Sequence, residues 1–390
     1  MQADGSVAMV GIVQEQHPGR ARLFMQWKQM DWPIMVDALN ELGVAVVPIT
    51  MFIDEHGIIR DMRPPRRDIT AAVEAFVGTS FDPPEVAVAA PIAPDLDALQ
   101  AATSDDNASA WRAYGTALVH WGGPTQCGEA IEALGRAVEL DAGDGPSSFR
   151  LGVAYRRRVE TESAQPGDFQ DAVDHWGAAL AINPNQYIWR RRIQQYGPRL
   201  DKPYPFYDWV TQARAEIEKR GETPHTLPVE PNGAEIAHPQ RTFSASDIDA
   251  PEPDPDNRIH RDSRRFIVAE ATVVPASVKP GTAVRVHLVF RPNASVAGHW
   301  NNEAEPMQVW VRPPDGWTVD RRSHTVPNAS APASLEIRRI EFELRVPDDA
   351  PAGLSQVYCY GLYNVCEGVD GACLYRRGEA TIEIRVIGTD

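Results

Sequence analysis

Two cysteines near the C-terminus are the residues of this chain best suited to do chemistry. They lie in Asn364-Val-Cys366-Glu-Gly-Val-Asp-Gly-Ala-Cys373-Leu-Tyr375, just after the apolar run of residues 357 to 365. A loop this short can bring two sulfurs within bonding distance, and its two glycines let the backbone turn tightly enough to do so. Cys366 and Cys373 can then cycle between dithiol and disulfide, which is redox chemistry without a cofactor. The thiolate is the attacking species, so its pKa sets its reactivity. Glu367 and Asp370 in the loop would raise a nearby thiol pKa, and Arg376 and Arg377 would lower it. The alternative is a passive staple that only closes the loop.

The residues around the pair have bland and sharp readings. Cys359 sits mid-strand and reads as a small buried hydrophobe. Cys359, Cys366 and Cys373 with His299 form a conceivable soft-ion set, weakened by the lack of a tight Cys-x-x-Cys pair. The expectation is no metal and no cofactor. Gly298-His-Trp-Asn-Asn-Glu303 reads as a polar turn between strands; alternatively it lines a pocket beside the thiols, with His299 as proton acceptor. Tyr358, Tyr360, Tyr363 and Tyr375 surround the pair in sequence, some as core residues and one or two as shields for the sulfurs. Cys127 stands alone in a helical stretch and reads as an inert small residue. His120 and His175 lack metal-ligand spacing.

The elements that must position these groups fall into segments. At 390 residues the chain is long enough for two or three domains. Its net charge of −16 argues against non-specific binding to nucleic acid or anionic membrane. No apolar run is long enough to cross a bilayer. The first residues lack the basic start and apolar core of a signal peptide, so the chain as given reads as soluble. Four cysteines make one site plus a bystander rather than a disulfide scaffold.

Residues 1 to 90 read as β, α, β, β, α. A buried-type strand covers 7 to 13, and a helix follows from about 20 to 42, broken or kinked at Pro33. Two strands flank a Glu55-His-Gly57 turn, and a last helix covers about 68 to 76. Val47-Pro48-Ile49-Thr50 with Asp54 and Gly57 resembles the second half of a thioredoxin fold of the TlpA kind. That resemblance implies a cis bond at Val47–Pro48, beside where such an active site would lie. The strand-helix unit that carries Cys-x-x-Cys in thioredoxins has no counterpart here. The segment therefore reads as a thioredoxin-like domain lacking its first strand and catalytic helix, through a late start or as a non-redox remnant.

Residues 95 to 220 are helical. Trp111-x-x-Tyr-Gly115 with Ala130, Leu134 and Ala137, then Leu151-Gly152-x-x-Tyr155 with Ala172, Trp176 and Ala179, resemble two tetratricopeptide repeats. The resemblance implies protein contact or spacing rather than catalysis. The runs Arg156-Arg-Arg158 and Arg190-Arg-Arg192 read as solvated faces, with peptide or anion binding as the alternative. Residues 221 to 262, rich in Pro, Asp, Glu and Ser, read as an extended, mobile linker.

Residues 263 to 390 are all β. About seven short alternating strands with turns at Lys279-Pro-Gly281, Pro313-Pro-Asp-Gly316 and Pro351-Ala-Gly353 suggest an immunoglobulin-like sandwich. With Gly298-His-Trp300 and the closing Cys366…Cys373-Leu-Tyr375, the segment resembles the N-terminal periplasmic domain of the thiol:disulfide interchange protein DsbD. That resemblance implies a hairpin cysteine pair that passes electrons to client proteins. The six residues between the cysteines slightly exceed what that family shows.

The fold expected is thus multidomain: an α/β part, a helical-repeat part and a β-sandwich. The function expected is thiol-disulfide exchange with a client or redox partner protein, in a periplasm or another extracytoplasmic space. The repeats would add protein contacts. The alternative is a non-catalytic scaffold with a structural disulfide.

Overall fold

The computed structural model describes residues 5–13, 18–42, 49–85, 92–198, 209–227, 251–368 and 371–388. The chain divides into two compact units, Met1–Leu140 with Val210–Leu227, and Asp141–Trp209 with Pro228–Asp390. Helices and several sheets are both present, so the mixed architecture expected from sequence is seen.

In the first unit, strand β1 (Gly11–Val13) is joined through helix α1 (Pro18–Lys28) to strand β2 (Ile34–Val36), which runs parallel to β1. The helix is shorter than the sequence suggests. Gln29 takes a left-handed φ of 51° directly after it, and Pro33 then leads into a strand. Strands β3 (Phe52–Ile53) and β4 (Ile59–Asp61) form the expected hairpin. The Asp54 carboxylate shapes its turn by accepting from the N–H groups of His56 and Ile58, each at 2.9 Å, and from Arg60 at 2.6 Å. Helix α2 (Ile69–Val77) is capped by Asp68, which accepts from the Ala71 N–H. The Val47–Pro48 bond lies outside the described residues.

Helix α3 (Leu96–Ala101) leads to α4 (Ala108–Trp121) and α5 (Cys127–Leu140), which pack closely because Gly115 faces Leu134 without a Cβ. The second unit begins with α6 (Gly145–Arg158), α7 (Asp168–Ile182) and α8 (Tyr187–Gln194). Gly152 gives the Trp176 indole the room to lie against α6. Helix α9 (Trp209–Lys219) belongs to the first unit, where Glu216 accepts from the Trp27 indole N–H at 2.6 Å.

Each arginine run turns one member inward, while Arg190 stays exposed. Arg156 is wholly buried, with its guanidinium over Phe169 and Tyr196. Arg158 donates two bonds to Asp168, at 3.0 and 2.5 Å. Arg192 is also buried. Helix periodicity turns one residue in three or four inward, whatever its charge, and α6 to α8 have neighbours on more than one side.

The rest of the second unit is β. Its strands are β5 (Ile267–Val274), β6 (Ser277–Val278), β7 (Ala283–Pro292), β8 (Gly298–Asn301) and β9 (Met307–Arg312). They continue with β10 (Thr318–Val319), β11 (Ser323–Val326), β12 (Ala333–Ser334), β13 (Arg338–Arg345), β14 (Gly353–Glu367) and β15 (Cys373–Val386). One sheet has the order β10-β13-β7-β5; the other has β11-β9-β14-β15-β6, with β8 on β14 and β12 on β8. Inward residues of both sheets share one core, including Val286, Leu288, Phe290, Trp300, Val309, Phe342, Val357 and Ile384. Alternation along each strand supplies these inward faces.

The four-stranded sheet is tied to the helices of its unit. Gln170 on α7 accepts from the Val273 N–H at 2.9 Å, and Glu270 on β5 accepts from the Gly167 N–H at 2.8 Å. His287 on β7 lies 2.9 Å from the Tyr196 carbonyl and 3.0 Å from Glu341, which also holds Arg285. Helices α6 to α8 and the β segment, separate by composition, here share one compact unit.

The end of the predicted linker is packed rather than extended and mobile. Residues 251–262 lie packed against β14 and β15: Asp254 pairs with Arg377 at 2.9 Å, both buried, and Ile259 packs on Trp310, Tyr360 and Leu362. Residues 228–250 lie outside the described residues.

Candidate functional site

The β14–β15 hairpin builds the site. It pairs in register from Gly353↔Val386 to Cys366↔Cys373, so the two cysteines face each other at the last rung of the ladder. Their sulfurs are bonded, with a Cα–Cα distance of 4.0 Å. The turn beyond them needs its glycines. Gly368 has a φ of 61°, and a Cβ on Gly371 would overlap the Glu367 carbonyl. The Gly368 N–H donates to the Ala297 carbonyl at 3.0 Å, which fixes the turn to the end of the preceding loop.

Alternation sorts the cysteines of β14. Val357, Cys359, Tyr363 and Val365 point into the shared core, so Cys366 points to the outer face. Cys359 is a buried free thiol whose pKa burial pushes up to about 12. It cannot join the outer pair, and the soft-ion set of Cys359, Cys366, Cys373 and His299 is not assembled. Among the described residues, no group of three or more His, Cys, Asp or Glu side chains is placed to hold a metal ion. Cys127 is likewise buried and outside the disulfide.

The two bonded cysteines differ in access. Cys366 is buried at 6% exposure and Cys373 is exposed. A thiolate arriving from solvent therefore meets the Cys373 sulfur first. Tyr375, two residues on along the same face of β15, is 43% exposed and flanks that approach. Burial raises the pKa of its hydroxyl, so it stays a neutral phenol.

His299 is placed differently from the turn expected of its sequence. Residues 298–301 are strand β8, and β8 pairs with β14 so that His299 lies opposite Cys366 and Trp300 opposite Val365. Trp300 is fully buried in the core, so His299 takes the outer face with the sulfurs. One row across three strands thus reads His299, Cys366, Cys373. The alternation Gly-His-Trp-Asn is too short to announce a strand by itself.

Two of the four charges near the loop are neutralised. Arg264 forks onto the Glu367 carboxylate at 2.6 and 2.7 Å. Arg377 is taken up by Asp254 and stacks on the Tyr360 ring at 3.7 Å. Arg376 pairs in register with Tyr363, three rungs from the sulfurs. Asp370 and Pro48 lie outside the described residues. The Arg264 clasp went unread in the sequence because its partner is 103 residues away.

No family model matches the chain, and no curated protein matches it. Partly similar solved structures include a protein of unknown function from Porphyromonas gingivalis W83, 14% identical, covering 32% of this chain and 49% of that one at a TM-score of 0.20. BslA, a bacterial hydrophobin, is 16% identical, covering 32% of this chain and 96% of its own at 0.19. The sporulation control protein Spo0M from Bacillus subtilis is 12% identical, covering 31% and 49% at 0.17. The chain thus spans about half the length of the first and third. At these scores none of the three bears on fold or function here. No helix among the described residues is long and apolar enough to cross a membrane.

Proposed function

We propose that this protein exchanges thiols and disulfides with a client or redox partner protein through Cys366 and Cys373. The observation that carries this reading is the unequal exposure of two bonded cysteines at a hairpin end, one open to solvent and one sheltered. An exposed sulfur accepts attack, and a sheltered partner resolves the mixed disulfide. In this reading the two-sheet part is a sandwich of the DsbD N-terminal kind. The β1-α1-β2 unit with its following hairpin and helix is a partial thioredoxin-like domain, and the α4/α5 and α6/α7 pairs are tetratricopeptide-like. A disulfide is at home in an oxidising compartment, which supports a periplasmic or other extracytoplasmic setting.

The test is reduction of the folded full chain. Dithiothreitol should open Cys366–Cys373 while the protein stays folded, and Cys366→Ser and Cys373→Ser should each abolish turnover of a disulfide substrate. One of them should trap a substrate covalently. The second reading, a scaffold with a structural staple, is favoured by the helices packed on the four-stranded sheet. It predicts a disulfide that resists mild thiols and Ser variants that only lower thermal stability. Closing a loop of this length is worth about 2.5 kcal/mol at most in the chain-entropy account.

A further inference from the structure

Resting on the exchange reading, we infer that His299 is the proton-transfer partner of the Cys366 sulfur. Directly opposite residues on neighbouring antiparallel strands carry Cβ atoms about 5 Å apart on one face. The register puts His299 and Cys366 in that relation, and the disulfide puts Cys373 on the rung beyond. His299 is half-buried, close to a sulfur that solvent barely reaches. A sheltered sulfur needs a nearby group to take or give its proton, and an imidazole titrates in the right range.

The step balances as follows. A thiolate of a dithiol client attacks Cys373 Sγ and forms a client–Cys373 disulfide. The Cys366–Cys373 bond breaks, and its electron pair stays on Cys366 Sγ. The His299 imidazolium hands that sulfur its proton and becomes neutral imidazole. The client's second thiolate then attacks its own sulfur in the mixed disulfide, and Cys373 leaves as a thiolate that is protonated by water. Two electrons have passed from the dithiol to the protein. In the reverse direction neutral His299 takes the Cys366 proton.

The charged groups on the surrounding elements are held by partners of their own. On β14, Glu367 is held by Arg264. On the chain after β12, Glu336 is held against Arg338. On β15, Tyr375 remains a neutral phenol.

The experiment follows reduction of the full chain by dithiothreitol between pH 5 and 9, with the rate referred to the dithiothreitol thiolate. In the wild type that rate should fall about tenfold as the pH rises through the imidazole range, and in His299→Gln it should be low and flat. The expected factor is below the roughly 10²–10⁴-fold usual for general acid catalysis, because a thiolate leaves readily without help. A second measurement uses the wild type alone, in case His299→Gln does not fold. With the rate again referred to the dithiothreitol thiolate, reduction at the low end of this pH range should run more slowly in D2O than in H2O, because a proton moves to Cys366 Sγ as the disulfide breaks. Equal rates in the wild type and His299→Gln at every pH, or equal wild-type rates in H2O and D2O, would overturn the inference. A wild-type disulfide that resists dithiothreitol overturns exchange itself, and this inference with it.

Discussion

Cys359 and Cys366 share one strand and meet opposite surroundings, because seven residues along a strand reverses the face. Cys359 looks into the core, donates to the Ala380 carbonyl at 3.5 Å, and has its thiol pKa raised to about 12 by burial. At neutral pH it holds its proton and has no path to a client. Cys359→Ala should therefore leave exchange intact and lower stability by about 1 kcal/mol, as is usual for a single buried change. Turnover and melting temperature on that variant, beside Cys366→Ser and Cys373→Ser, check this. Loss of exchange in Cys359→Ala would mean a three-cysteine site. In the native protein only Cys366 and Cys373 should take up an alkylating reagent, and only after reduction; Cys127 and Cys359 should react once the chain is unfolded. Peptide mapping reads that directly.

At the scale of elements, the hairpin and the segment laid against it decide how firmly the site is held. Gly378 lies under the Tyr363 ring, so a methyl group there would strike the Tyr363 hydroxyl and ring. Gly378→Ala should cost about 2 kcal/mol by overpacking, seen as a lower melting temperature with the disulfide still formed. Asp254 anchors residues 251–262. Burial pushes its carboxyl up, but the bond from Arg377 and the N–H groups of Arg258 and Ile259 outweigh that and hold it below 3.8. Its contribution is full above that unfolded-state value and is lost as the pH falls through the lower folded-state value. Asp254→Asn should flatten this part of the acid unfolding curve, and Asp254→Ala, which strands the buried Arg377, should cost about 3 kcal/mol at neutral pH. The cysteine loop was legible in the sequence because its determinants are local: two sulfurs, two glycines and alternation. The anchored segment was not, because its Pro and Asp content matches that of disordered chain and its partner lies 123 residues away. Strand β8 was missed for the same kind of reason: four residues gain a strand only from the neighbours on both sides.

For the whole molecule, the division into units matters more than the division by composition. The β part read from residue 263 onward carries, on β5 and β7, the bonds to α7 and to the chain after α8. A fragment of residues 251–390, which keeps the Asp254–Arg377 anchor, should keep its cysteine pair but melt well below residues 141–390, because it would expose His287, Arg285 and the apolar side of that sheet. Thermal unfolding of the two fragments, with thiol counts on each, checks this; equal melting temperatures would mean that the helices add nothing to the sheet.

The return of residues 210–227 to the first unit, after the chain has already begun the second, has a consequence for synthesis. The units are interleaved along the chain, so neither is complete when the ribosome starts on the other. Helices α6 to α8 leave the exit tunnel several seconds before β5 and β7 at ordinary elongation rates. During that interval Gly167, Gln170 and the Tyr196 carbonyl wait for their partners on β5 and β7. The waiting period, rather than the finished protein, is where a chaperone would be needed most.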